Sequence, residues 1–253
     1  MVDGTIFEYK AAHDYFVLIS RWKRLARLSG VPLKKICEAD GYPVYGFISE
    51  VFDSRGIYLS SGIHGDEPAG AWALLEWTES KMELLRLRPF FIFPCLNPWG
   101  FNENSRCDRQ NIDLNRRWLN SKTITTKAVS EKMENLRVLL AVNLHEDYDA
   151  NGIYLYEASA GKKRDCFANE ILNAGKELMP IDTRKKIEGR WSRDGVIRPH
   201  ANSLPKEGTP EAVFLQKQGA ERIFVFETPS EYDLHLRVKT QVNMLERAVS
   251  EIL

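Results

Sequence analysis

Short apolar runs alternate with longer segments of helical periodicity along the whole of this chain. Near the N-terminus, apolar residues recur at helical spacing and stop at a Ser-Gly pair, so this pattern predicts an amphipathic helix. These residues are Leu18, Trp22, Leu25 and Leu28. A strand hairpin is predicted next, around the turn at 40–41, where Asp and Gly favour a tight reversal.

The rest of the chain continues the alternation. Apolar runs predict strands at 56–62, 89–95, 139–145, 152–157 and 221–227. Periodic segments predict helices at 67–86, before 138, at 163–178, and at the end of the chain through Val238, Val242, Leu245 and Val249. The stretch 180–210 is rich in Arg, Lys, Gly and Pro, and we expect a loop at the rim of a site because long loops in compact domains are often functional.

This order of elements predicts the fold class. Short buried strands between helices form parallel or mixed sheets that are covered on both faces. No repeat, low-complexity tract or linker divides the sequence, and 253 residues are enough to bury a full core. We therefore expect an α/β fold: a single three-layer α/β/α domain over 1–253, with a mixed, largely parallel central sheet.

Composition limits the class of partner. Thirty-five basic and thirty-five acidic residues cancel, which disfavours nucleic acid as a partner. The chain begins without a signal-like segment and has no apolar run of about 18 residues, so we expect a cytoplasmic protein with no membrane partner. The four cysteines form no CxxC pair, as is typical of reduced thiols.

Four polar residues end or follow predicted strands: His64, Asn97, His145 and Glu227. In open α/β sheets the ligand crevice lies beyond the carboxyl ends of the strands. We therefore expect these side chains to converge on one site.

The spacing of the histidines and carboxylates predicts a metal. His64 and Glu67 are three residues apart where a strand turns into a helix, and His145 is the natural third ligand. Two imidazoles and one carboxylate suit a catalytic zinc ion, which keeps a fourth position open, and we expect one zinc per chain. Glu146 and Asp147 are alternative ligands, or carboxylates that orient an imidazole, and we rank them second.

Five strings occur in an order that resembles the zinc carboxypeptidase (M14-type) superfamily. They are HGDE at 64–67, NPWGF at 97–101, SRCDRQNIDLNRRW at 105–118, NLHEDYD at 143–149 and FETPS at 226–230. The sequence is most similar to the small bacterial branch, which includes murein-peptide amidases, and to the succinylglutamate desuccinylases and aspartoacylases. The resemblance extends from about residue 43 to 230 and implies the carboxypeptidase fold.

The resemblance also implies roles for individual residues. His64, Glu67 and His145 would be the zinc ligands, and Glu227 would be the general base that takes a proton from the metal-bound water. Arg106 matches the arginine that polarises the scissile carbonyl and stabilises the oxyanion.

Asn115 and Arg116 match the pair that holds a substrate carboxylate, to which a guanidinium can donate two parallel hydrogen bonds. Arg109 and Arg117 are close enough in sequence to take this role instead.

The sequence departs from the family in one respect. Carboxypeptidases usually carry a tyrosine on a mobile loop before the catalytic glutamate, but no tyrosine lies between Tyr156 and Tyr232. Residues that could take its place in the loop are Trp191, Arg193, Arg198 and His200.

Two hydrolytic functions remain open. The first is cleavage of an amide bond next to a free carboxylate in a short peptide. The second is removal of an acyl group from an N-acyl amino acid, as in the desuccinylase and aspartoacylase branch. The absence of a recognisable β-rich domain after residue 230 favours the peptidase, and the full set of ligands, base and arginines disfavours a binding module without activity.

Overall fold

The computed structural model describes residues 9–49, 55–120, 122–159, 166–199 and 207–252. Within these ranges the strands are β1 (Leu33–Ala39), β2 (Tyr42–Ile48), β3 (Arg55–Ser61), β4 (Phe90–Phe93), β5 (Arg137–Asp147), β6 (Tyr154–Ala158), β7 (Lys186–Ile187), β8 (Arg190–Arg193), β9 (Val196–Ile197) and β10 (Arg222–Pro229). The helices are α1 (Tyr9–Ala12), α2 (Tyr15–Ser29), α3 (Pro68–Ser80), α4 (Leu84–Leu87), α5 (Pro98–Glu103), α6 (Ile124–Met133), α7 (Phe167–Gly175), α8 (Glu211–Lys217) and α9 (Leu234–Ser250). A 3-10 turn spans Leu114–Arg116.

The strands form one sheet in the order β1-β2-β4-β3-β5-β10-β6-β9-β8-β7. At its centre β4, β3, β5 and β10 run parallel, whereas β1, β2, β6, β7 and β8 pair with antiparallel neighbours. The α/β fold with a mixed sheet is therefore confirmed, with its parallel part in the middle and antiparallel strands towards the edges.

Alternate residues of the central strands pack into two cores. On one face, Leu59, Val142 and Phe226 pack with helices α2, α3, α7 and α9. On the other face, neighbouring residues such as Tyr58 and Ile223 pack with α6 and α8. Because successive strand side chains point to opposite faces, the short apolar runs are buried on both sides and the fold has three layers.

The N-terminal elements follow the sequence prediction closely. Helix α2 ends at Gly30, which adopts φ 74°, and the β1–β2 turn places Asp40 and Gly41 at φ 55° and 83°. Both are left-handed conformations, which Gly adopts freely and which Asp tolerates better than most residues. Leu28 departs from the predicted apolar face of α2, because it lies in the last turn and is 56% exposed.

Two other predictions need correction. The helix expected over 67–86 is broken into α3 and α4. The stretch 180–210 is not a structureless loop, because β7, β8 and β9 extend the sheet within it. His200 lies outside the described residues. Within the described part of the chain, no helix is both long enough and apolar enough to cross a bilayer.

Candidate functional site

His64, Glu67 and His145 lie together at the carboxyl ends of the central strands. His64 follows β3, Glu67 immediately precedes α3, and His145 is near the end of β5. Nδ1 of His64 is 2.6 Å from one carboxylate oxygen of Glu67, and Nδ1 of His145 is 2.8 Å from the other. All three side chains are buried, and one potential ligand atom from each lies within 4.8 Å of the others.

The electrostatics of this group are strongly coupled. Burial lowers the pKa of His64, but the charge of Glu67 and hydrogen bonds to Asp113 and Glu67 outweigh it and raise the pKa to about 9. Burial raises the pKa of Glu67, but the two facing imidazoles keep it below its usual value. The group therefore favours an ionised Glu67 that faces positive charge, and a metal cation would supply this charge in place of the imidazole protons.

Asp113, which the sequence analysis did not single out, completes the group. Nε2 of His64 lies 3.2 Å from Oδ1 of Asp113, so this imidazole can donate its second ring N–H to a carboxylate while Nδ1 faces Glu67. Metal-ligating histidines usually make such an outer hydrogen bond, which fixes the orientation of the ring. Two imidazoles and one carboxylate, all buried, fit a metal that takes nitrogen and oxygen ligands.

Neither Glu146 nor Asp147, the alternative ligands, belongs to the group of potential ligand atoms found among the described residues. The Glu146 carboxylate accepts a hydrogen bond from the backbone N–H of Ala69 at 2.5 Å and pairs with Arg237. Its own backbone N–H donates to Glu67 at 3.2 Å, and Asp147 accepts from the hydroxyl of Tyr154 at 2.9 Å. Glu146 thus supports the helix start and the carboxylate of Glu67.

Backbone packing between two glycines positions His64. The N–H of Gly65 donates to the carbonyl oxygen of Ser105 at 2.9 Å, and a Cβ atom at Gly65 would lie 1.9 Å from the carbonyl carbon of Gly100. The side chain of Asn97 accepts from the N–H of Gly100 at 2.9 Å and caps α5. The HGDE and NPWGF strings are therefore adjacent in space, and the second holds the backbone of the first.

Replacing Gly65 with Ala is expected to destabilise the fold by at least about 3 kcal/mol, because the added methyl group meets backbone atoms that cannot rotate away. Gly41→Ala is the matched control: it meets no atom within 4 Å and should cost only about 1 kcal/mol for its left-handed backbone. Thermal and urea unfolding measure both changes. Equal losses in the two variants would contradict the packing argument.

Glu227 lies beside the metal group, the name used below for the potential ligands His64, Glu67 and His145. It is paired in register with His145 across the parallel strands β10 and β5, so both side chains project from the same face at the same level. Burial and the nearby charge of Glu67 raise the pKa of Glu227. The structure therefore places a carboxyl group on the wall next to the potential ligands.

A cavity of about 1870 Å³ opens over these residues and is lined by all three potential metal ligands and Glu227. Arg106 lines it as well, with Nη1 3.4 Å from Glu67 and Nη2 3.2 Å from Asp113. Its guanidinium is therefore held at the edge of the metal group while its side chain stays 45% exposed.

Asn115 and Arg116 line the same cavity from the 3-10 turn. Nη1 of Arg116 donates to the carbonyl oxygen of Asn115 at 3.1 Å, and Arg116 forms no ion pair within the described part of the chain. The two alternatives are placed elsewhere: Arg109 is exposed, and Arg117 lines a separate, smaller cavity. Of these arginines, Arg116 is the one whose guanidinium can meet a ligand in the large cavity.

Residues in and beside the short strands β7 to β9 also line the cavity. Glu188 and Arg198 are among them, and the hydroxyl of Tyr156 in β6 donates a hydrogen bond to the carboxylate of Glu188. Trp191 is 72% exposed and Arg193 is also exposed, and neither lines the cavity. Of the described residues expected to replace the loop tyrosine, only Arg198 reaches the cavity wall, where it pairs with Glu157 at 2.6 Å.

Comparisons with known proteins connect this geometry to a family. Residues 53–152 match the family model of the succinylglutamate desuccinylase/aspartoacylase catalytic domain. The curated proteins returned no match. A "putative metallopeptidase" of Shewanella denitrificans superposes with a TM-score of 0.85 at 22% identity, covering 95% of this chain and 91% of that one.

Two further solved structures are longer than this chain. A metallo-carboxypeptidase of Burkholderia cenocepacia has a TM-score of 0.67 at 15% identity, over 92% of this chain and 67% of that one. A metallo-carboxypeptidase of Pseudomonas aeruginosa has a TM-score of 0.62 at 15% identity, over 92% and 68%. The solved structures show the carboxypeptidase fold, and the family model adds a sequence relation; together they confirm the resemblance to this superfamily and its desuccinylase and aspartoacylase relatives.

Proposed function

We propose that this protein is a zinc-dependent hydrolase that cleaves an amide bond next to a free carboxylate in a short peptide, as metallocarboxypeptidases and murein-peptide amidases do. The observation that carries the proposal is the placement of Glu227 in register with His145, beside His64 and Glu67, on the wall of a cavity that also contains Arg116. The residues proposed as metal ligands, base and carboxylate receptor all line one cavity.

In this proposal, separate residues bind the metal, transfer the proton and orient a ligand. When bound to His64, Glu67 and His145, zinc supplies a more acidic water and an electrophile for the substrate carbonyl. Glu227 would accept a proton from the attacking water and pass it to the leaving amine. Asp113 would keep the ring of His64 oriented through its hydrogen bond at 3.2 Å.

Two arginines act on the substrate in this proposal. Arg106, held between Glu67 and Asp113, would stabilise the negative charge that develops on the carbonyl oxygen. Arg116 and Asn115 would bind the free carboxylate, for which a planar guanidinium is well suited. The metallo-carboxypeptidase of Pseudomonas aeruginosa, whose structure contains (2-guanidinoethylmercapto)succinic acid, supports a carboxylate ligand for this fold.

Arg116→Ala should lower kcat/KM for substrates with a free carboxylate by about tenfold to a hundredfold, the usual loss for a charge-assisted hydrogen bond. Amidated versions of the same substrates should lose much less, because they lack the charge that Arg116 would bind. Steady-state kinetics on matched pairs measure the difference. Arg109→Ala, outside the cavity, is the control and should leave both rates unchanged. Equal losses on both kinds of substrate in Arg116→Ala would make Arg116 a structural residue.

The alternative function is removal of the acyl group from an N-acyl amino acid. The match of residues 53–152 to the desuccinylase and aspartoacylase family model favours it. The same metal ligands and base would serve both reactions, since both hydrolyse an amide and both substrates carry a carboxylate. The peptidase is favoured by the similarity to the Shewanella denitrificans structure named a metallopeptidase, since this chain covers 91% of its length.

Metal analysis coupled to a hydrolysis screen tests the proposal. Protein purified under zinc-replete conditions should contain close to one zinc per chain. Short peptides, murein peptides and N-acyl amino acids should then be compared at equal concentration, each with and without its free carboxylate. Faster cleavage of peptides supports the peptidase, and faster cleavage of acyl amino acids supports the alternative. Zinc-loaded protein that hydrolyses none of them would contradict both.

A further inference from the structure

Helix α9 carries a buried polar side chain where it packs against the ends of two central strands. Gln241 lies near the middle of α9 and is fully buried. Its neighbours on the same face of the helix, Val238 and Leu245, belong to the apolar core. The helix is therefore fixed against the sheet on both sides of Gln241.

The amide of Gln241 contacts both of the strands that carry His145 and Glu227. Its Nε2 donates one hydrogen bond to the backbone carbonyl oxygen of His145 in β5, at 2.9 Å. It donates a second to Oγ1 of Thr228 in β10, at 2.8 Å, and Thr228 directly follows Glu227. Since a carbonyl oxygen can only accept, the nitrogen of the amide must face His145. One NH2 group thus joins a potential metal ligand to the residue next to the proposed base.

The end of β5 needs such a contact because its pairing is incomplete there. β5 pairs with β3 only as far as Leu144, which lies opposite Ser61. From His145 onwards, the only strand that pairs with β5 in the described part of the chain is β10. Backbone at the end of a ladder opens more readily than backbone within it. The hydrogen bond from Gln241 therefore restrains His145 where the sheet restrains it least.

The same face of α9 also reaches a second potential ligand. Arg237 lies one turn before Gln241 and forms an ion pair with Glu146. The backbone N–H of Glu146 donates to the carboxylate of Glu67 at 3.2 Å. Two side chains on one face of α9 therefore connect this helix with the metal group.

The stability of the core does not explain a glutamine at this position. Oε1 of Gln241 is buried and has no hydrogen-bond partner among the described residues. A buried polar atom left unsatisfied destabilises the folded state, whereas a methionine of similar length would fill the space without that atom. What Gln241 provides beyond packing is its two donated hydrogen bonds.

We propose that Gln241 is a positioning residue that fixes His145 relative to Glu227. It acts through the carbonyl oxygen of His145 and the hydroxyl of Thr228, with no contact to the substrate. The inference rests on the proposed function, because it concerns the metal ligand and the base of that reaction. Precise placement matters, since a displacement of about 1 Å can lower a reaction rate by about a hundredfold.

Gln241→Met tests this role, because it removes both donors at nearly constant volume. Zinc affinity, measured by competition with a chelator, should fall about tenfold. The value of kcat should also fall about tenfold while KM stays within about twofold, because Asn115 and Arg116 lie on a separate turn.

Thr240→Val is the matched control. Thr240 is as deeply buried in α9, but its hydroxyl donates to the carbonyl oxygen of Leu236 in the same helix. This variant should leave zinc affinity and kcat unchanged, and thermal unfolding should show that both variants remain folded at the assay temperature. Unchanged zinc affinity in Gln241→Met, or an equal loss in Thr240→Val, would overturn the positioning role.

Thr228→Val releases only the contact with β10. It should lower kcat about fivefold and leave zinc affinity within about twofold, because no member of the metal group lies on β10. If Gln241→Met fails to fold by circular dichroism, this variant decides, and an unchanged kcat would overturn the proposal. Weaker zinc binding in Gln241→Met, in a protein that hydrolyses no substrate, would refute the proposed function and support the positioning of His145. Wild-type protein that binds no zinc would overturn both.

Discussion

Replacing Glu227 with Gln is expected to lower kcat at least about a hundredfold, while zinc content and KM remain close to those of the wild type. Gln keeps the size of the side chain and can hydrogen-bond, but it cannot accept a proton. A small residual rate should remain, because the substitution leaves His64, Glu67 and His145 unchanged and zinc bound there would still activate water. Single-turnover kinetics on the best substrate of the screen, with zinc measured on the same sample, check this result.

The control for this experiment is Glu221→Gln, the same change at an exposed position immediately before β10. It should leave kcat unchanged. Near-normal turnover in Glu227→Gln would mean that another carboxylate acts as the base. Glu188, which lines the same cavity and whose carboxylate accepts a hydrogen bond from Tyr156, would then be examined first, because Glu146 is held by both the guanidinium of Arg237 and the N–H of Ala69.

Much of the fold could be predicted because its strongest patterns are local. The central strands are short apolar runs with helices between them, and their burial on both faces follows from that pattern. The turn at Asp40 and Gly41 could be predicted because few residue pairs tolerate its left-handed backbone. Strands β7 to β9 could not, since they have only two to four residues each and depend on pairing with β6 and with one another.

The residues of the candidate site were likewise predictable only in part. His64, Glu67, His145 and Glu227 end or follow strands, so a parallel sheet brings them to one edge, as expected. Asp113 lies within the quoted string at 105–118, but its contact with His64 depends on how that loop folds back over the metal group.

Glu211 had no sequence signal, because it follows a stretch rich in Gly and Pro and becomes buried only when α8 packs on the sheet. The hydroxyl of Tyr58 donates a hydrogen bond to one of its carboxylate oxygens at 2.5 Å. That contact arises from tertiary packing, so no pattern along the chain could have predicted it.

His145→Ala should lose nearly all bound zinc and all measurable hydrolysis, whereas the protein should remain folded. His145 is one of the three residues in the group of potential metal ligands, so its loss leaves two. The fold should survive because the three residues are anchored in a large sheet with apolar cores on both faces, unlike a small zinc domain that folds around its ion. Elemental analysis, circular dichroism and the hydrolysis assay on one preparation measure the three properties.

Two further variants turn this prediction into an ordered series. Asp113→Asn keeps all three ligands but weakens the outer hydrogen bond to His64, and should reduce zinc affinity by about tenfold to a hundredfold. His235→Ala, at an exposed position in α9, should retain the full zinc content. If the three side chains formed only a hydrogen-bonded cluster, His145→Ala would still lower stability. The zinc content would then not decrease from His235→Ala through Asp113→Asn to His145→Ala. Wild-type protein without zinc, or undiminished zinc in His145→Ala, would therefore refute the metal site itself.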